Sequence, residues 1–298
     1  MQDIPNSFDR GSDHREFAIS ATVFEEFQTR LQALRRFARE HGLPFDASRM
    51  GTYRRIFERF HESRKAGGEL ITGRELKCIH QALDELQELE TIITELGSPD
   101  VLAMWRHKFD VLFSGHVFPE GDKAGTPARD MQFELYFPAW CRRAAFITRC
   151  DEPDVIIQDG DVELAAAIKR VKSEKKLLRR IREADEQICH STKQGVVVVD
   201  ISHLVNPNNR GFATEHVDRL IAEFQKMVDD YIEERFDQLR ANVDSRHTMA
   251  IVAYSKLMFL SLANIQMGSI RYLRVAEFAQ PKENSALRHL VQRLLQTA

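Results

Sequence analysis

Between Glu152 and Gln187 the chain sets acids and bases in an order that suits phosphate chemistry. A Pro153-Asp154 step opens a short apolar run, Asp159-Gly160 marks a turn, and a second apolar run ends in Lys169-Arg170. Lys172, Lys175, Lys176, Arg179, Arg180 and Arg182 follow at once. Carboxylates are the ligands that Mg²⁺ and Mn²⁺ prefer. Such a cation stabilises charge on a phosphodiester and makes its bound water more nucleophilic. A crowd of Lys and Arg beside it would contact phosphates, giving affinity that is salt-dependent and sequence-independent. A plainer reading makes Asp154 a turn residue, Lys169 a solvated strand end and the basic run the outer face of an amphipathic helix.

Composition restricts the partners. The 298 residues allow one large domain or two smaller ones, and 43% hydrophobic with 29% charged residues is ordinary for a globular protein. A net charge of −3 excludes a globally basic coat, so a polyanion site must be a local patch. Cys78, Cys141, Cys150 and Cys189 form no CxxC pair, and no leader pattern is visible, so a reducing cytoplasm is the expected setting. The apolar run at 249–262 is interrupted by Lys256 and too short to span a membrane. His203, His216 and His247 lack zinc-ligand spacing. No GxxxxGK[ST] loop, GxGxxG turn or GxSxG elbow is present, which argues against an NTPase, a dinucleotide enzyme or a serine hydrolase. Tyr53-Arg54-Arg55 with Arg59 reads as a solvated helix face rather than a second nucleic-acid contact.

The elements that would position these groups fall into two regions. Through about Phe113 the pattern is helical: Val23, Phe27, Leu31, Leu34 and Ala38 form one stripe, closed by Gly42 and Pro44. Thr72-Gly73-Arg74-Glu75 fits a capping box opening a second stripe from Leu76 to Leu96, ended by Gly97-Ser98-Pro99. A further helix is expected from about Asp100 to Phe113. The Gly- and Pro-rich stretch 114–128 marks a boundary, giving a helical region over 1–118 and a second domain over 119–298. There Thr126-Pro127 should open a helix that Pro138 kinks or ends. Val155–Ile157 and Gly195–Ile201 read as buried strands, the second central because its β-branched residues do not alternate. A long helix is expected from Thr214 to about Leu239, then strands at 249–262 and 269–278 and a short closing helix. The succession predicts a mixed α/β core.

Residues 161–171 decide between two folds. Alanines would favour one continuous helix from Asp161 to Gln187, the mark of a helical partner-binding protein. Yet Leu164, Ile168 and Val171 are out of phase with Leu177, Ile181, Ala184 and Ile188, so a strand followed by a helix starting at Ser173 is favoured.

That order of motifs resembles the core of the PD-(D/E)xK, or restriction-endonuclease-like, nucleases. The likeness covers 126–201 and extends more weakly to the C-terminus; it is closest to bacterial members whose Ile-Glu-Cys-Lys-Arg strand precedes a Ser-capped basic helix. It implies an α/β fold with a restriction-endonuclease-like mixed sheet flanked by helices, behind an α-helical N-terminal region. It also implies roles. Asp154 would be the principal metal ligand, Glu134 in Phe-Glu-Leu-Tyr-Phe a supporting one, and the Ile168 carbonyl a third. Lys169 would orient the attacking water, and Gln187 would match a positioning glutamine. Arg129, Arg170, Lys172, Ser173, Lys175, Lys176 and Arg179 would face nucleic acid, and the cofactor would be Mg²⁺ or Mn²⁺.

One position departs. The acid expected two residues before the lysine is Ala167. Glu163 shares its strand face but lies four residues, about 13 Å, away. Three readings stay open: a degenerate fold that no longer cuts, an acid supplied by Glu134 or Glu152, or a glutamate replaced on purpose to trap an inactive form. The resemblance thus implies a DNA-binding protein of defence or repair with magnesium-dependent endonuclease activity, impaired or retained. The alternative is an inactive nuclease-fold scaffold for DNA or a protein partner. Cutting both strands takes two active sites, so the N-terminal helices are also candidates for a homodimer or partner surface.

Overall fold

A computed structural model describes residues 21–65, 73–117, 127–191, 193–207, 209–263 and 266–278, with Ser285, His289, Gln292 and Arg293. The described residues open with four helices, α1 (Ala21–Glu40), α2 (Arg49–Lys65), α3 (Gly73–Leu96) and α4 (Pro99–Leu112). The apolar stripes set them: Phe27, Leu31, Leu34 and Ala38 of α1 and Ile79, Leu86, Leu89 and Leu96 of α3 are all buried. The capping residue Thr72 and the boundary near 118 both lie outside the described residues.

α5 (Ala128–Arg143) follows and lies between the helices and the sheet. Pro127 is its boundary residue, not its first helical one, and Pro138 sits inside it without ending it. Then come β1 (Ile147–Arg149), β2 (Val155–Asp159), β3 (Val162–Arg170), α6 (Glu174–His190), β4 (Gly195–Asp200), α7 (Ser202–Val205) and β5 (Gly211–Thr214). α8 (Val217–Glu233), α9 (Phe236–Arg240), β6 (Thr248–Ser261) and β7 (Gln266–Glu277) complete the described core. The result is an α/β protein with a mixed seven-stranded sheet and a helical N-terminal region.

Residues 162–170 are a strand, which removes the continuous helix from Asp161 to Gln187. The two-residue turn is Gly160-Asp161, one step later than the sequence suggests, and Gly160 takes the left-handed φ of +60° that favours glycine. β2 and β3 are antiparallel, β3 and β4 parallel, and β4 and β6 parallel. β4 is therefore central and buried along its whole length. The long helix expected from Thr214 is corrected: Thr214 ends β5, α8 stops at Glu233, and Leu239 belongs to the separate α9. β1 and β5 are too short to show a period.

Each sheet face has its own core. Ala166, Ile168, Val196 and Val198 pack into a cluster with α5 and the N-terminal helices. Ala167, Val197 and Val199 pack into one with Leu177, Ile181, Phe224 and Val228 of α6 and α8. Gly195 fits where the pairing of β3 with β4 begins, since a Cβ there would lie 2.5 Å from the Ala165 carbonyl oxygen and 3.0 Å from Ile188. Among the described residues no helix is long and apolar enough to cross a membrane.

Candidate functional site

The β2–β3 hairpin brings an acid and an ammonium together. Val155 pairs with Ala166, and one further step of the same register sets Asp154 opposite Ala167. Asp154 Oδ2 accepts hydrogen bonds from the Ile168 amide (2.7 Å) and from Lys169 Nζ (3.1 Å). Both side chains are only 13–14% exposed. The amides of Ala165 and Val171 donate to Gln194 and Asp200 on the β4 side. By the period of two, Ile168 presents its amide and its carbonyl to the β2 side, where Asp154 sits.

Glu134 reaches the same neighbourhood from α5. Its Oε2 accepts a hydrogen bond of 2.8 Å from Lys108 Nζ on α4, with side-chain exposures of 15% and 8%. Burial raises the Glu134 pKa, Lys108 opposes that shift, and Asp154 and Lys169 also act on it. The half-buried Cys150 thiol, pushed up by burial, feels Lys108, Asp154 and Glu134 together. The cluster thus holds two carboxylates and two ammoniums, each acid hydrogen-bonded to a lysine. Lys108 was not among the residues singled out from the sequence. Its signal was legible: it lies on the buried stripe Val101, Trp105, Phe109, Leu112, where an ammonium needs a partner.

Ala167 lies in the apolar cluster beneath α6 and is fully buried. Of the two acids expected to substitute, Glu152 is exposed and Glu134 is hydrogen-bonded to Lys108. Glu163, four residues along the strand, is held by Arg149 and Lys193. A Mg²⁺ site wants six hard oxygens, only some of them water. Here the two carboxylates are already neutralised and the third side-chain position is a methyl. Among the described residues, no three His, Cys, Asp or Glu side chains are placed to hold a metal ion. As it stands, the donor set does not fit a divalent cation.

Gln187 is not part of the cluster. Its neighbour Ile188 packs by Gly195 and Ala165, at the end of β3 opposite Lys169. Two expected nucleic-acid contacts are committed inward. Arg129 is buried, 2.8 Å from Glu85, and also donates to the His116 and Val117 carbonyls. Arg170 holds Asp200 at 3.2 Å. Lys172 lies 3.2 Å from Asp130 but stays 36% exposed, and Ser173 bounds α6 without a side-chain capping bond. Lys175, Lys176 and Arg179 are exposed on the first turns of α6, beyond the end of β3 that carries Lys169. Arg179 spends its charge partly on Glu183, an exposed i,i+4 pair worth a few tenths of a kcal/mol.

A second polar cluster lies between α3, α5 and the sheet. Asp84 meets Lys256 at 2.6 Å and Arg271 at 2.8 Å; Glu85 meets Arg49 and Arg129, both at 2.8 Å. Glu88 accepts from Gln132 and Lys256, each at 2.6 Å. Burial alone would raise both pKa values, but Lys256 with Arg271 and Arg129 with Arg49 override it, lowering Asp84 and Glu85 to about 2. A narrow cleft reaches this network past Arg170, Asp200, Ser202 and Asn209. The sequence carried a hint in Gln81, Asp84, Glu85 and Glu88, a polar stripe at helical spacing inside a Leu- and Ile-rich helix.

No protein-family model matches the chain, and neither does any curated protein or solved structure.

Proposed function

We propose that this chain is a DNA-binding protein of restriction-endonuclease-like descent, which holds the phosphodiester backbone without cutting it. The observation that carries the reading is the shared edge of β2 and β3. There the Asp154 carboxylate accepts hydrogen bonds from the Lys169 ammonium and from the Ile168 amide. Glu134 approaches from the preceding helix, the same supply of groups that the resemblance implies. Lys172, Lys175, Lys176 and Arg179 continue outward from Lys169 as a phosphate-contacting strip. The methyl of Ala167 and the lysine-neutralised acids argue for holding over hydrolysis.

The test uses the full chain, a fluorescent duplex and plasmid DNA with Mg²⁺ or Mn²⁺. Retention that weakens steeply with salt, without nicking, supports the reading. Each phosphate neutralised should contribute about −0.9 to the slope of log K against log salt. Cleavage by the chain as it stands, lost in Asp154→Ala, would overturn the holding half. Absence of any binding at low salt would remove nucleic acid altogether.

A further inference from the structure

We propose that Lys108 is the built-in cation of the Asp154–Glu134 cluster, its ammonium serving the charge-neutralising role that a divalent ion would otherwise serve. The meaning of this substitution rests on the descent proposed above; the exclusion of metal that it predicts does not.

Four observations converge. Lys108 reaches Glu134 at 2.8 Å from a different helix, so two separate elements are committed to the contact. Its side chain is 8% exposed and its ammonium lies 5.4 Å from the centre of the Trp105 ring, which holds the charge in place rather than leaving it in solvent. Glu134 lies within the electrostatic reach of Asp154 and Lys169, which makes one cluster of the two ion pairs. Two acids against two ammoniums leave the cluster formally neutral. A doubly charged ion would find both carboxylates taken and two like charges within range.

The consequence reaches beyond Ala167. Restoring an acid at 167 would supply a ligand but leave Lys108 in competition for Glu134. Both changes are needed to open the site, and phosphate retention by the natural chain is independent of divalent metal.

The experiment titrates Mn²⁺, followed by its electron paramagnetic resonance signal, into four full-length proteins. These are the chain as it stands, Ala167→Glu, Ala167→Glu with Lys108→Met, and Ala167→Glu with Lys108→Arg. Methionine keeps an apolar stem beside Trp105 while removing the charge; arginine keeps the charge. One Mn²⁺ per chain, bound at least tenfold more tightly in the methionine double variant than in Ala167→Glu or the arginine control, is the expected result. A rise of its melting temperature with Mn²⁺ should accompany it. Equal Mn²⁺ affinity in Ala167→Glu alone, or none in a cooperatively melting methionine double variant, would overturn the proposal. A second measurement needs no variant to fold: DNA retention by the natural chain in EDTA and in Mg²⁺ should be the same. A Mg²⁺-dependent gain lost in Asp154→Ala would show that the cluster takes metal with Lys108 in place. Failure to bind DNA at all would sink the proposed function, while the Mn²⁺ comparison would still decide the role of Lys108.

Discussion

Two sets of opposed charges occupy this protein, and they are built differently. In the network between α3 and the sheet, Asp84 and Glu85 are each about 1% exposed and each meets two cations. In the Asp154–Glu134 cluster the side chains are 8–15% exposed, and each carboxylate has one ammonium at hydrogen-bond distance. Removing one partner from a fully buried, multiply bonded set strands a charge in low dielectric. Removing one from the edge set strands a charge nearer to solvent, so the loss should be smaller. The first arrangement ties the N-terminal helices to the sheet; the second lies at the end of β3, next to the exposed lysines of α6.

The comparison predicts its largest effect at Glu85. Glu85→Ala should leave Arg49 and Arg129 without their carboxylate and lower stability by about 3–5 kcal/mol, measured by denaturant unfolding. A loss as small as that of an edge variant would erase the distinction. Acid should expose the same asymmetry. Asp84 and Glu85 have depressed folded pKa values of about 2, so their stabilisation is complete above the ordinary carboxylate range. It is lost as pH falls through that range toward 2. Glu134 has the opposite sign: its raised pKa makes the folded state most favoured below the ordinary glutamate range, an advantage lost as pH rises through the folded value. Melting temperature against pH in Glu85→Gln and Glu134→Gln should therefore change at opposite ends of the acid range.

Ala167→Glu comes next. The new carboxylate would enter a fully buried position opposite Asp154, costing about 2–4 kcal/mol in the absence of metal. A neutral effect on the melting temperature would mean that the position opens to solvent, and the site would then be less closed than its packing indicates.

The legibility of the fold followed the length of each period. Nine residues of β3 and seventeen of α6 were separable because Leu164, Ile168 and Val171 break phase with Leu177 and Ile181. The three and four residues of β1 and β5 carry too few positions to show a period, and the hinge between α8 and α9 has no Gly or Pro to announce it. At the site, Asp154 meets Lys169 because sequence order fixes the hairpin, and Glu134 on the neighbouring helix lies within electrostatic reach of both. Gln187 did not, since thirteen helical residues carry it about 20 Å back along β3. Arg129 and Arg170 turn toward internal acids for a more general reason. A run of basic residues reads as a surface, while only tertiary structure shows which of them have acids waiting inside.

The smallest expected effect sharpens the comparison from outside. Lys175 and Lys176 have no acid partner among the described residues, so replacing both with alanine should cost well under about 0.5 kcal/mol in stability. If they belong to the phosphate strip, the same change should flatten the salt slope of DNA retention by up to about 1.8. Lys169→Ala should do the reverse in proportion, costing about 1 kcal/mol because Asp154 keeps only the Ile168 amide, while removing at most one phosphate contact. Paired unfolding and salt-titration measurements on the two variants would place the boundary between charge that holds the protein together and charge that holds its ligand. A slope unchanged by the double alanine variant would move that boundary inward and strip the α6 surface of its proposed role.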